Sequence, residues 1–129
     1  MTQNLSLHTV EALAHTQVHD CYQCGKCSAG CPVVERMDIL PSQLLRLLQL
    51  GRLDKALAAG AIWECVSCMT CTTRCPKAVD CAGVMDALRQ LSIERGVAAP
   101  AQRRTILFQQ AFLDNIRRNG RLAALDLVR

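Results

Sequence analysis

The run CYQCGKCSAGCP at residues 21–32, repeated as CVSCMTCTTRCP at residues 65–76, constrains this chain more than any other feature. Cys21, Cys24, Cys27 and Cys31 follow C-x2-C-x2-C-x3-C-P, and Cys65, Cys68, Cys71 and Cys75 repeat that spacing without deviation. The C-x2-C-x2-C part wraps a tight turn that points three thiolates at one centre and aims backbone N–H groups toward inorganic sulfur there, which suits an iron-sulfur cluster reduced one electron at a time. The fourth cysteine is followed by proline, which biases it toward extended backbone and carries it out of the turn.

In two-cluster ferredoxin patterns of this spacing the fourth cysteine ligates the other cluster. Applied here, Cys21, Cys24, Cys27 and Cys75 are expected around one [4Fe-4S] cluster, and Cys65, Cys68, Cys71 and Cys31 around a second. Zinc is the chemical rival, and would make the chain a zinc-stabilised interaction module. Structural zinc sites present two separated C-x2-C pairs, however, whereas each run here offers three close thiols and a displaced fourth.

Other residues near the runs carry weaker signals. Cys81, the ninth cysteine, falls outside both runs and is expected as a small buried side chain. His15 and His19 stand one helical turn apart and read as helix-face histidines rather than ligands. Tyr22, Ile62 and Trp63 are expected to cover cluster sulfur and exclude water. Lys26, Arg74 and Lys77 lie beside ligands, where they either favour the reduced cluster or simply face solvent.

Nine cysteines in a secreted protein would suggest disulfides, but an odd count leaves one unpaired. The first basic residue is Lys26 with no apolar stretch before it, so no signal peptide is expected. No apolar run approaches the roughly 18 residues of a membrane span. A reducing, cytoplasmic compartment is expected, where clustered cysteines usually mean metal. The formal charge of +4 counts every cysteine as neutral. Two clusters with their thiolates, at roughly 2− each, bring the loaded protein close to neutrality, so a nucleic-acid partner is not expected. From Arg89 onward there are eight arginines and three acidic residues, a surplus expected to be a solvated helical face.

A chain of 129 residues suits one domain, and four aromatic residues among plentiful Leu and Ala favour helix. A helical period runs from Leu5 to His19, with Leu7, Val10, Leu13 or Ala14, and Val18 on one side. Pro41 suits the first turn of a helix with Leu44, Leu45, Leu47 and Leu48 on its apolar face and Gly51 just past its end. Arg52 to Ala59 reads as a short helix stopped by Gly60. Asp80 is the expected N-cap of a helix that turns Val84, Met85, Leu88 and Leu91 inward and stops at Gly96. Pro100 opens a further helix to Asn119 or Gly120, and Leu122 to Val128 forms a last one. No segment alternates as a strand does. The expected organisation is all-α: an N-terminal helix over 1–20, a two-cluster core over 21–96 and a helical extension over 97–129, one domain overall.

The stretch CYQCGKCSAGCP, the helical insert LPSQLLRLLQLG, and IWECVSCMTCTTRCPKAVD leading into VMDALR together resemble the small iron-sulfur subunit of heterodisulfide reductase, its C subunit. The resemblance implies the alpha-helical ferredoxin fold, with two [4Fe-4S] clusters bridging helical segments. It implies a non-catalytic member of an oxidoreductase complex that passes electrons from a flavin-containing partner, the A subunit, to a disulfide-reducing partner, the B subunit. The 33 residues between Cys31 and Cys65, occupied by helices, exclude the compact bacterial ferredoxin. A free-standing dicluster ferredoxin, or the iron-sulfur subunit of another oxidoreductase, is the alternative. No Gly-rich phosphate loop, Ser-His-Asp arrangement or paired carboxylates in helical register suggests a substrate site.

Overall fold

The computed structural model describes residues 7–127, and among them there are helices and turns but no strand. The expected helix start at Leu5 and helix end at Val128 lie outside the described residues. Two compact units divide the chain, Met1–Ala99 and Pro100–Arg129.

In the first unit, α1 (Leu7–Ala14) buries Val10 and Ala14. It is shorter than its apolar period suggests, because His15 takes a left-handed conformation at φ 54° and ends it. The buried Glu11 carboxylate accepts the Val18 N–H at 2.8 Å and faces His19 Nδ1 at 3.3 Å. These contacts draw the chain back into a 3-10 turn, Val18–Asp20, which delivers Cys21. The first cysteine run contains the one-turn helix α2 (Lys26–Ala29), and a further 3-10 turn, Val34–Arg36, follows it.

Helix α3 (Pro41–Gln49) opens on proline as expected and buries Pro41, Leu44, Leu45 and Leu48, while Leu47 is half-buried. Its end is a Schellman turn: Gly51 at φ 74° lets its own N–H reach the Leu48 carbonyl and the Arg52 N–H reach that of Leu47. Helix α4 (Leu53–Ala58) turns Leu53, Ala56 and Leu57 inward. The one-turn α5 (Ala61–Glu64) carries the buried Ile62 and Trp63 into the second run. Asp38, between the two runs, holds its start by accepting the N–H groups of Gly60 at 2.9 Å and Ala61 at 2.8 Å. Within the second run lies α6 (Thr70–Arg74).

Helix α7 (Cys81–Arg95) is the spine of this unit and packs against α1, α4, α5 and α6. Asp80 caps it, accepting the Gly83 N–H at 3.0 Å, and Gly96 at φ 66° ends it. Val84, Met85, Leu88 and Leu91 are buried as the period predicts, each worth about 1.5–3 kcal/mol of transfer for a side chain of this size. Gly83 lets α1 come close: a Cβ there would sit 3.3 Å from the Ala14 carbonyl oxygen and 2.5 Å from the Asp80 carboxylate.

In the second unit a 3-10 turn, Pro100–Gln102, leads into α8 (Arg103–Asn119), which ends at Gly120 with φ 70°. The short α9 (Ala124–Leu127) is tied back by the buried Asn115, whose side chain accepts the Ala123 N–H at 2.7 Å and donates to the Ala123 carbonyl at 3.0 Å.

Candidate iron-sulfur site

Both cysteine runs fold the same way, although they share little sequence beyond the cysteines and proline. The first cysteine of each closes the preceding helical turn: the Cys21 N–H reaches the Val18 carbonyl at 3.1 Å and the Cys65 N–H that of Ala61 at 3.3 Å. Two residues on, Gln23 (φ 64°) and Ser67 (φ 57°) are left-handed. Four residues on, Gly25 (φ 81°) and Met69 (φ 66°) are left-handed again, and α2 or α6 then begins. Left-handed residues two apart in each run suit a concavity of backbone N–H groups, an anion-binding nest of the kind iron-sulfur sites use. That geometry, with three thiols around each nest, fits a cluster whose net charge with its thiolates is negative.

The next helix of each half is tied to its run by a hydroxyl seven residues after the first cysteine. Ser28 Oγ donates to Ser42 Oγ at 2.9 Å and accepts the Ser42 N–H at 3.1 Å, at the second position of α3. Thr72 Oγ1 donates to the Asp80 carboxylate at 2.9 Å and accepts the Ala82 N–H at 3.1 Å, at the second position of α7. From the ninth residue of that helix a side chain reaches back. Gln49 Nε2 donates to the carbonyls of Val18 at 3.0 Å and Cys21 at 2.9 Å. Arg89 donates from Nε to the Ile62 carbonyl and from Nη2 to that of Cys65. Each clamp thus holds the first cysteine of a run and the residue three before it.

The predicted ligands gather unequally. Cys31 lines one apolar cavity with Cys65, Cys68 and Cys71, walled by Pro32, Met37 and Met85 among others. Cys21, Cys24 and Cys27 share the first turn, and α6, whose end carries Cys75, packs on α2. Arg74 lies across Gly30, where a Cβ would fall 2.8 Å from its Cδ. Cys75 Sγ accepts the Val79 N–H at 3.3 Å. Among the described residues no three Cys, His, Asp or Glu side chains converge as a single bound ion requires, and four ligands around a cuboidal cluster stand further apart than around one zinc.

The thiols differ in acidity. Hydrogen bonding with Cys81, then with Ser28, brings Cys27 down to about 6 against the effect of burial. Cys71 is likewise brought to about 6 by Cys81 and then Thr72, again against burial. The Thr70 hydroxyl, 3.4 Å from the exposed Cys68 thiol, lowers that group. Burial raises Cys65, and the backbone N–H of Ser67 and the charge of Arg89 oppose it. Cys81 is buried as expected and is pushed up, chiefly by the hydrogen bonds it shares with Cys27 and Cys71. It thus sits between one predicted ligand of each run.

Three expectations need correction or completion. His15 and His19 do not share a helix face, because the left-handed His15 ends α1 and His19 lies in the next turn. Trp63 and Ile62 are buried, while Tyr22 is exposed. Lys26, Arg74 and Lys77 are exposed, while the cation drawn inward is Arg89, which also lies 5.8 Å over the Trp63 ring. Gln49 and Arg89 were not legible as site residues, although their shared position, eight residues after Pro41 and after Cys81, was present as a signal.

Residues 17–79 match the family model of the 4Fe-4S dicluster domain. The protein is thus an all-α dicluster iron-sulfur protein, and its cofactors are two [4Fe-4S] clusters. More particularly, it is similar to the iron-sulfur C subunits of heterodisulfide reductases. It is 36% identical over 91 residues to the iron-sulfur C subunit of CoB--CoM heterodisulfide reductase from Methanopyrus kandleri, covering 70% of this chain and 47% of that protein. It is 34% identical over 105 residues to the second such C subunit of Methanocaldococcus jannaschii, covering 81% of this chain and 56% of that one. A protein of Archaeoglobus profundus named as like the C subunit of heterodisulfide reductase is 34% identical over 86 residues, 66% of this chain and 46% of that protein. The chain spans about half the length of these curated relatives. Among the described residues no helix is long and apolar enough to cross a membrane.

Proposed function

We propose that this chain is the electron-transfer member of a heterodisulfide-reductase-like complex, passing electrons from a flavin-containing partner to a disulfide-reducing partner. [4Fe-4S] clusters supply reversible one-electron chemistry without bond making at a substrate. The chain's own part is to hold, insulate and space two of them. Cys21, Cys24, Cys27 and Cys75 are the proposed ligands of one, and Cys65, Cys68, Cys71 and Cys31 of the other.

The observation that carries this reading is the placement of Cys31, from the first run, in one cavity with Cys65, Cys68 and Cys71. A ligand set that crosses between runs ties both centres into one unit and so holds them near each other, which suits a relay. The apolar walls of that cavity keep water from the sulfur atoms. At the surface, Cys24 and Cys68 are exposed, offering each centre an edge at which a partner protein can exchange electrons. The names of the relatives support placement in a reductase assembly. Free thiols in this number suit a reducing, cytoplasmic compartment. The core is proposed to run over 21–96, with 1–20 as an N-terminal helix and 97–129 as a C-terminal helical extension.

Anaerobic native purification from the source cells tests this. The expected result is about eight irons and eight sulfides per chain, in a complex with a flavoprotein and a second cysteine-rich protein. A monomer that reduces unrelated enzymes would establish the free-standing ferredoxin instead, and a colourless protein with stoichiometric zinc would remove both.

A further inference from the structure

Given the two clusters, we propose that Arg89 is a positioning residue that raises the reduction potential of the cluster ligated by Cys65, with Gln49 as its neutral counterpart beside Cys21. This inference rests on the dicluster reading and adds to it a source of inequality between the centres.

The two residues hold the same place in the same construction. Gln49 is the ninth residue of α3 and Arg89 the ninth of α7. Each donates to the carbonyl of the first cysteine in its run and to the carbonyl three residues earlier. Tethering the backbone is therefore common to both, and an uncharged amide accomplishes it at Cys21. What Arg89 adds is a permanent positive charge.

That charge is placed where it is felt. The Arg89 side chain is only 14% exposed, so solvent and salt screen it weakly. The Asp86 carboxylate stands 4.0 Å away and is 77% exposed, so the compensation it gives is largely solvated. Adding an electron makes the ligand set more negative, so a fixed cation stabilises the reduced state more than the oxidised one and the potential rises. Lys26, Arg74 and Lys77, near the ligands in sequence, face solvent and act more weakly.

Redox titration of the two-cluster protein, followed by electron paramagnetic resonance with iron and sulfide measured on every sample, tests the proposal. Arg89→Gln, which installs the residue found in the first half, is expected to move the midpoint of one cluster to lower potential, the cluster whose signal Cys68→Ala removes. Arg89→Lys should keep most of the original midpoint, and Gln49→Arg should raise the midpoint of the other cluster. An unmoved midpoint in fully loaded Arg89→Gln overturns the proposal, as does Arg89→Lys falling as far as Arg89→Gln, since tethering rather than charge would then be the cause. If Arg89→Gln loses iron, Gln49→Arg decides, and an unmoved first-run midpoint overturns the proposal. Fewer than two clusters in the unaltered protein defeats the dicluster reading itself, a different result from any shift in midpoint.

Discussion

The segment from Val18 to Gln49 and the segment from Ile62 to Arg89 are two solutions to one construction problem. Each has a helical turn that delivers a cysteine, a nest with left-handed residues at matching positions, a hydroxyl bracing the next helix, and a side chain reaching back from that helix. They differ in what fills the positions. The first half uses Gly25 where the second has Met69, and Gln49 where the second has Arg89. The second half also braces its helix with a carboxylate, because Thr72 is bound to Asp80. Geometry around a cluster can thus be shared between halves while strain and charge are redistributed.

The largest effect expected from disturbing this comparison comes from the fourth cysteines. If the ligand sets cross, Cys31→Ala damages the same cluster as Cys68→Ala, and Cys75→Ala the same cluster as Cys24→Ala. Each variant should keep about half of its iron in the intact centre, and the surviving electron paramagnetic resonance signals identify which centre remains. A Cys31→Ala spectrum matching that of Cys24→Ala would mean that each run is self-contained, and the two halves would then be independent.

Smaller, and a test of whether the halves share one core, are Leu48→Ala and Leu88→Ala. These residues occupy matching positions in α3 and α7 and are 1% and 0% exposed. Each truncation is expected to cost about 2–5 kcal/mol, measured by denaturant unfolding of the loaded protein. Similar losses would extend the equivalence of the halves to their packing, whereas a loss confined to Leu88→Ala would make α7 the sole spine.

The smallest effect concerns backbone strain. Met69 sits at φ 66° where its counterpart Gly25 sits at φ 81°. A non-glycine side chain in that region costs roughly 1–2 kcal/mol, so Met69→Gly is expected to stabilise the protein by about 1 kcal/mol, and Gly25→Ala to destabilise it by about as much. Denaturant unfolding of the loaded variants measures both. No steric contact complicates the latter, since nothing lies within 4 Å of where the added methyl at Gly25 would stand. Destabilisation by Met69→Gly would show that side-chain packing of Met69, which lines the second-run cavity, outweighs its strained backbone.

What the sequence by itself determined are features encoded over a few residues. Thiol spacing, the helix starts at Pro41 and after Asp80, and the stops at Gly51, Gly96 and Gly120 are local, because caps and turns act on neighbouring N–H and C=O groups. The apolar periods of α3 and α7 were legible for the same reason. The left-handed Gln23, Ser67 and Met69 were not, since only glycine announces that conformation in a sequence, and these residues adopt it under the demands of the nest. The early end of α1 was hidden too, because it depends on Glu11 turning back to Val18 and His19. The spacing already pointed Cys31 toward the second run, but only the tertiary structure decided that Gln49 and Arg89 reach carbonyls 28 and 24 residues away at Cys21 and Cys65. Those contacts join segments separated by whole helices, and their partners are main-chain carbonyls, which every residue carries and no sequence pattern distinguishes.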